Sequence, residues 1–215
     1  MGSKKFKNKT CVYCRENTSE TADHVFPREF FQIHERQNLP KVPACKNCNN
    51  KKSALEHYLT ATLTFGATHR NSIDALSIDT AKRLSRNNKL FQEHRSNLSK
   101  HTYFDGTLVT TTSTLKLEPE YLTEFVAYVA LGLLWHHWKI ILPKGFSYQA
   151  FMPSTKGAEF VTNLFNLNSN MYIHESLGDE TMRYKGIASE VDVGLSVWAI
   201  QLLGGMTLMD ATKEI

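Results

Sequence analysis

Cysteine is scarce in this chain of 215 residues, with four in all, and none lies beyond Cys48. No disulfide framework can therefore staple the rest of the chain, which has to hold together by burial. Long apolar runs are missing too. Residues 121–142 come closest, but Glu124, His136, His137 and Lys139 interrupt them below spanning length, so the stretch reads as a buried core helix and no membrane segment is expected. The start, Met1-Gly-Ser-Lys-Lys-Phe-Lys-Asn-Lys, carries no apolar run of the secretory kind. Together with the cysteine usage this leads to the expectation of a reducing, cytoplasmic compartment. Internal repeats and low-complexity tracts are absent as well, which excludes solenoid and linker architectures.

What remains is an ordinary globular composition, 41% hydrophobic and 21% charged, enough for one domain core plus a small module. The net charge is only +4, yet it is unevenly spread. Residues 1–55 hold eleven Lys/Arg against five Asp/Glu, whereas residues 56–215 hold fourteen against sixteen. A local excess of cations suits contact with a phosphate backbone, because Lys and Arg displace the counterions condensed on it. Lys4, Lys5, Lys7 and Lys9 can equally form a solvated tail.

That basic segment contains all the cysteines, as Cys11-Val-Tyr-Cys14 and Cys45-Lys-Asn-Cys48, with 30 residues between the pairs. Two such knuckles can supply four thiolates to one tetrahedral Zn²⁺, which suits a segment too short to bury its own core. Between them lies Asp23-His24-Val25-Phe26-Pro27, where Pro27 restricts Phe26 to extended geometry. Residues 28–37 are read as a short helix or loop. Leu39-Pro-Lys-Val-Pro43 is held extended by its prolines, and from about Asn49 the spacing of Leu55, Leu59 and Leu63 predicts a helix that starts beside the second knuckle.

This arrangement resembles the HNH endonuclease family, whose ββα-metal site lies between two zinc knuckles in many members. The matching residues are Cys11, Cys14, Asp23, His24, Pro27, Cys45, Cys48, Asn49 and Lys52, so the resemblance spans roughly residues 10–57. It implies that His24 is the general base and that Asp23 and Asn49 hold a catalytic Mg²⁺ or Mn²⁺. Hard oxygen ligands suit those ions, as thiolates suit zinc. Many members carry a further histidine four residues after the position of Asn49. Here that residue is Ser53, which points to an Asp/Asn site completed by water. Asn38 and Asn47 are both candidates for the central Asn of the family name, with Asn38 preferred. Arg28, Lys46, Lys51 and Lys52 are the expected phosphate contacts. Adjacent residues of a regular strand point to opposite faces, so Asp23 and His24 can share a site only where the strand end is bent or the phosphate lies between them.

Beyond residue 57 the chemistry is less legible. Helices are expected at Ser72–Lys82 and Lys89–Leu98, a strand at Thr107–Leu117, and strands around Met171–Ile173 and Met182–Ile187. Two more strands should join at Gly204-Gly205. The paired His136 and His137 are read as capping or surface residues. The expectation is an α+β chain: an HNH module stapled by a four-cysteine zinc at residues 1–57, and a body of helices and antiparallel sheet at residues 58–215. DNA is the expected partner, with room for a homodimer or a regulatory partner. Two other readings stand beside it: a zinc ribbon that binds nucleic acid without cutting it, and a toxin or defence effector that needs an activating partner.

Overall fold

The computed structural model describes residues 4–75, 80–167, 171–192 and 194–215. After a 3₁₀ turn at Lys4–Phe6 come two short antiparallel strands, β1 (Thr21–His24) and β2 (Lys41–Ala44), registered with Thr21 opposite Ala44 and His24 opposite Lys41. The chain between them passes through two single 3₁₀ turns, Arg28–Phe30 and Ile33–Glu35. It then turns at Asn38, whose φ of 63° lies in the left-handed region that Asn tolerates better than most residues. Helix α1 (Lys46–Leu63) follows directly, with Cys45 as its N-cap accepting from the Cys48 backbone N–H. Leu55, Tyr58, Leu59 and Leu63 are buried, as their spacing predicts.

Three shorter helices come next: α2 (Arg70–Ala75), α3 (Ala81–Arg86) and α4 (Asn88–Asn97). The expected helix at 72–82 thus coincides with parts of α2 and α3, and residues 76–79 lie outside the described residues. Strands β3 (Leu98–Phe104) and β4 (Val109–Leu115) form an antiparallel hairpin. Only its second strand was expected. Helix α5 (Pro119–Trp138) is the central post: Pro119 opens it, where a missing N–H does no harm, and Lys139, at φ 60°, ends it. Then come β5 (Phe146–Phe151), α6 (Thr155–Leu167), β6 (Tyr172–Leu177), β7 (Met182–Ala188), β8 (Ser196–Leu202) and β9 (Met206–Glu214). The strands β5 and β6–β9 build one antiparallel sheet in the order β5-β9-β8-β7-β6. The fold is α+β. Among the described residues no helix is long and apolar enough to cross a membrane.

Burial alternates along β8, where Ser196, Trp198, Ile200 and Leu202 are buried and the residues between them are half-exposed. Trp198, Ile200 and Leu202 of that row belong to the same apolar core as Leu122, Phe125, Val129 and Leu133 of α5. Val25, Phe26, Phe30 and Val42 from the first 57 residues join that core too, so it runs without a break across residue 57. One close approach is at Gly132: a Cβ there would meet the Val25 side chain at 2.9 Å. Glycine thus lets α5 press against the residue that follows His24.

Trp135-His136-His137-Trp138 departs from the capping expectation. Lys139 caps α5, donating from Nζ to the Trp135 and His136 carbonyls. His137 turns instead toward the sheet, where its Nε2 lies 3.1 Å from the Tyr184 hydroxyl, and burial pushes its pKa down to about 4.

Asp210 of β9 is fully buried between Ala150 and Trp198 of the neighbouring strands, and neither carboxylate oxygen has a hydrogen-bond partner among the described residues. Burial pushes its pKa up to about 8. A carboxyl raised above its unfolded value makes the folded state bind more protons, so folding stability falls as pH rises from about 4 toward 8 and levels off above that. Asp210→Asn should therefore stabilise the chain at pH 8.5, by roughly 1–3 kcal/mol, and change it little at pH 5. Urea denaturation of both proteins at the two pH values checks this. Equal pH slopes would exclude a buried, raised carboxyl.

Candidate metal centre and active site

The four thiols converge although 30 residues separate the two pairs. Cys11 and Cys14 sit on a turn next to β2, where Val12 N donates to the Pro43 carbonyl at 3.0 Å, and Cys45 and Cys48 sit at the start of α1. Their sulfurs all lie within 4.8 Å of one another, with Cys14 and Cys45 4.0 Å apart, and no disulfide links them. A tetrahedral zinc with Zn–S bonds of about 2.3 Å places sulfurs about 3.8 Å apart, so the set fits such an ion with little adjustment. Backbone donors already point at the sulfurs: Asn17 N to Cys14 at 3.4 Å and Cys48 N to Cys45 at 3.5 Å. At Cys14 burial works against ionisation, but the Asn17 and Glu16 N–H groups outweigh it and bring the pKa down to about 7. The four cysteines can hold a metal such as zinc. Among the described residues no other group of three or more His, Cys, Asp or Glu side chains is arranged to do so.

The same closure fixes β1 against α1. Asp23 is buried, and both its contacts fall on Oδ2: the Tyr13 hydroxyl donates at 2.6 Å and Lys52 Nζ lies at 3.1 Å. Lys52 was expected at the surface as a phosphate contact, and the structure corrects this. Its side chain has no exposed area, and its ammonium spends its three donors on Asp23 Oδ2, the Glu56 carboxylate and, at 2.6 Å, the His24 carbonyl. The physical reason is that β1 crosses this turn of the helix, so an inward lysine meets two carboxylates and the carbonyl at the strand end.

His24 is the last residue of β1, where regular pairing stops before Pro27. Asp23 and His24 both line one open hollow of about 210 Å³, together with Pro27, Arg28, Ser53 and Glu56. Pairing stays regular through His24 opposite Lys41, and the chain bends immediately after it, at Val25 and Phe26. Glu29 and His57 complete the hollow's wall. Burial lowers the pKa of His24 to about 4, and Lys41 and Arg28 add to the effect, so the imidazole is neutral at physiological pH. Burial raises that of Glu56, against the pull of Lys52.

The remaining expected residues are placed less uniformly. Arg28 is exposed at the hollow, as a backbone contact requires. Lys46 and Lys51 are exposed on α1 but away from the hollow's wall. Asn49 also stands outside that wall, its Nδ2 donating to Thr21 Oγ1 at 3.1 Å. Asn38 is an exposed turn residue that shapes the loop through its backbone. Glu56 was missed, although it follows Lys52 at i+4, the spacing at which helical side chains meet. His57 also went unassigned, because no ligand-spaced partner marks it in the sequence. Compared with known protein families, with curated proteins and with solved structures, the chain matches none.

Proposed function

We propose that the chain is a metal-dependent endonuclease of the HNH type that hydrolyses phosphodiester bonds in DNA. The observation that carries this reading is the position of His24: a neutral imidazole at the end of its strand, opening on a hollow beside Asp23 and the cation of Arg28, on a strand–strand–helix unit closed by four cysteines. In-line hydrolysis needs a base for the attacking water and positive charge near the phosphate. His24 takes the water's proton, and Arg28 holds the phosphate beside it. A hard cation such as Mg²⁺ or Mn²⁺ would be held by Asp23, whose Oδ2 is taken by Tyr13 and Lys52, with Asn49 of α1 as the further oxygen ligand that the resemblance implies. When bound, it neutralises charge developing on the leaving oxygen. Lys52 holds the His24 carbonyl and the Asp23 carboxylate in place and touches no substrate.

The grip of Tyr13 and Lys52 on Asp23 favours one other reading, in which the Asp-His pair is structural and the module binds nucleic acid without cutting it. Incubation with supercoiled plasmid in Mg²⁺ or Mn²⁺ separates the two. Nicking by the wild type should need the added cation and should fall about 10²–10⁴-fold in His24→Ala, with zinc content and circular dichroism unchanged. Nicking at the wild-type rate by His24→Ala removes the base assignment, and plasmid binding without any cleavage favours the structural reading.

A further inference from the structure

The hairpin of β3 and β4 stands out from the body with every residue exposed except the half-buried Leu115. Two strands alone are at best marginally stable in water, and a ribbon solvated on both faces has nothing to pack against. Its sequence is also wrong for solvent. Phe104 is 71% exposed, Leu108 65% and Val109 69%, and the three cluster at the tip, where Phe104 pairs with Val109. One face of the ribbon is apolar at both ends, with Phe104 and Val109 at the tip and Leu98 and Leu115 at the base, and carries Lys100, Thr102, Thr111 and Ser113 between them. Leu98 and Leu115 in turn border a hollow of about 420 Å³, whose wall also takes in Leu63 at the end of α1, Phe65 just after it, and Leu202 and Leu203 at the β8–β9 turn.

We infer that this hairpin is a dimerisation arm, whose apolar tip seats in the base hollow of a second copy of the chain while the partner's tip seats in the first. Tip and hollow lie at opposite ends of one face, so two copies laid antiparallel, face to face, satisfy both contacts at once. That is the self-complementary geometry of a closed two-fold dimer. The hollow falls within the roughly 300–1,000 Å³ span of sites that enclose compact apolar groups. Size agrees as well: a stable interface buries about 800 Å² per partner, and a whole aromatic side chain brings about 150–250 Å². In the two-fold arrangement each partner contributes one tip, one hollow and one threonine-rich midsection to that area. A nucleic-acid occupant fits less well, since residues 98–115 carry only Lys100 and His101 as basic groups against Asp105, and the tip is apolar. The inference does not depend on the nuclease reading.

Light scattering on the full chain, with zinc content and circular dichroism recorded for each variant, tests it. The wild type should be a dimer at micromolar concentration. The tip variant Phe104→Asp/Val109→Asp and the hollow variant Phe65→Asp should each be monomeric and folded. Mixed together, they should regain a heterodimer, weaker than the wild type, because one intact tip then meets one intact hollow. A monomeric wild type overturns the arm. So does a hollow variant that stays dimeric, or a mixture of two folded monomeric variants that fails to associate.

Discussion

On the reading that the four cysteines hold a structural zinc, removing the metal should unfold the first part of the chain while leaving the five-stranded sheet in place. Cys11, Cys14, Cys45 and Cys48 connect a turn, the end of β2 and the start of α1, where β1 and β2 have only four residues each to pair. Structural zinc contributes about 10–16 kcal/mol in small zinc-finger peptides that have no other core. Here Val25 packs on Gly132, Tyr13 on Tyr128 and Phe30 on Phe125, so part of the module remains anchored to α5 without the metal. The expected loss is therefore smaller than in an isolated finger, though still the largest of any single perturbation proposed for this chain. Cys45→Ser should reduce bound zinc from one equivalent to a small fraction, and it should expose backbone amides of residues 10–57 to hydrogen exchange while those of β7 and β8 stay protected. A Cys45→Ser protein with wild-type protection in the module would show that the thiols do not carry it.

The elements that were legible in the sequence are those whose pattern is local. Cys-x-x-Cys spacing leaves few arrangements for the four sulfurs, Pro27 marks the end of β1, and Leu55, Leu59 and Leu63 repeat at helical spacing. Gly204-Gly205 marks the turn from β8 to β9. Strand β3 was illegible for a physical reason: alternation records a buried face, and Leu98–Phe104 buries none. Helix α6 carries Gly157 in its first turn and was not recognised. At the site, the Asp-His pair and the end of its strand before Pro27 were readable, whereas the surroundings of Lys52 were not. Its three acceptors come from residues 23, 24 and 56, and only Glu56 is a helical neighbour. A lysine in a basic segment reads as solvated until the strand that covers it is known.

Lys52→Met should be among the most damaging single substitutions in the chain, although methionine fills much of the same slot. It leaves Asp23 and the largely buried Glu56 facing each other without a cation, and it strips the His24 carbonyl of its donor. Removing one partner of a buried ion pair typically costs about 3–5 kcal/mol, because the remaining charge is left desolvated. The loss should depend on pH in a definite direction. Burial already raises the pKa of Glu56 and Lys52 opposes that rise, so without Lys52 it climbs further. A carboxyl with a raised folded-state pKa favours folding at low pH and loses that advantage as pH rises. The deficit of Lys52→Met should thus be largest near neutrality and shrink toward pH 4. Adding Glu56→Gln removes one of the two orphaned charges and should recover part of it, a coupling that two distant substitutions would not display. Urea denaturation of the two single variants and the double variant at pH 5 and pH 7.5 measures all of this. If Lys52→Met instead loses less than about 1 kcal/mol, as exposed ion pairs do, and weakens plasmid binding, the ammonium lies in solvent and contacts phosphate.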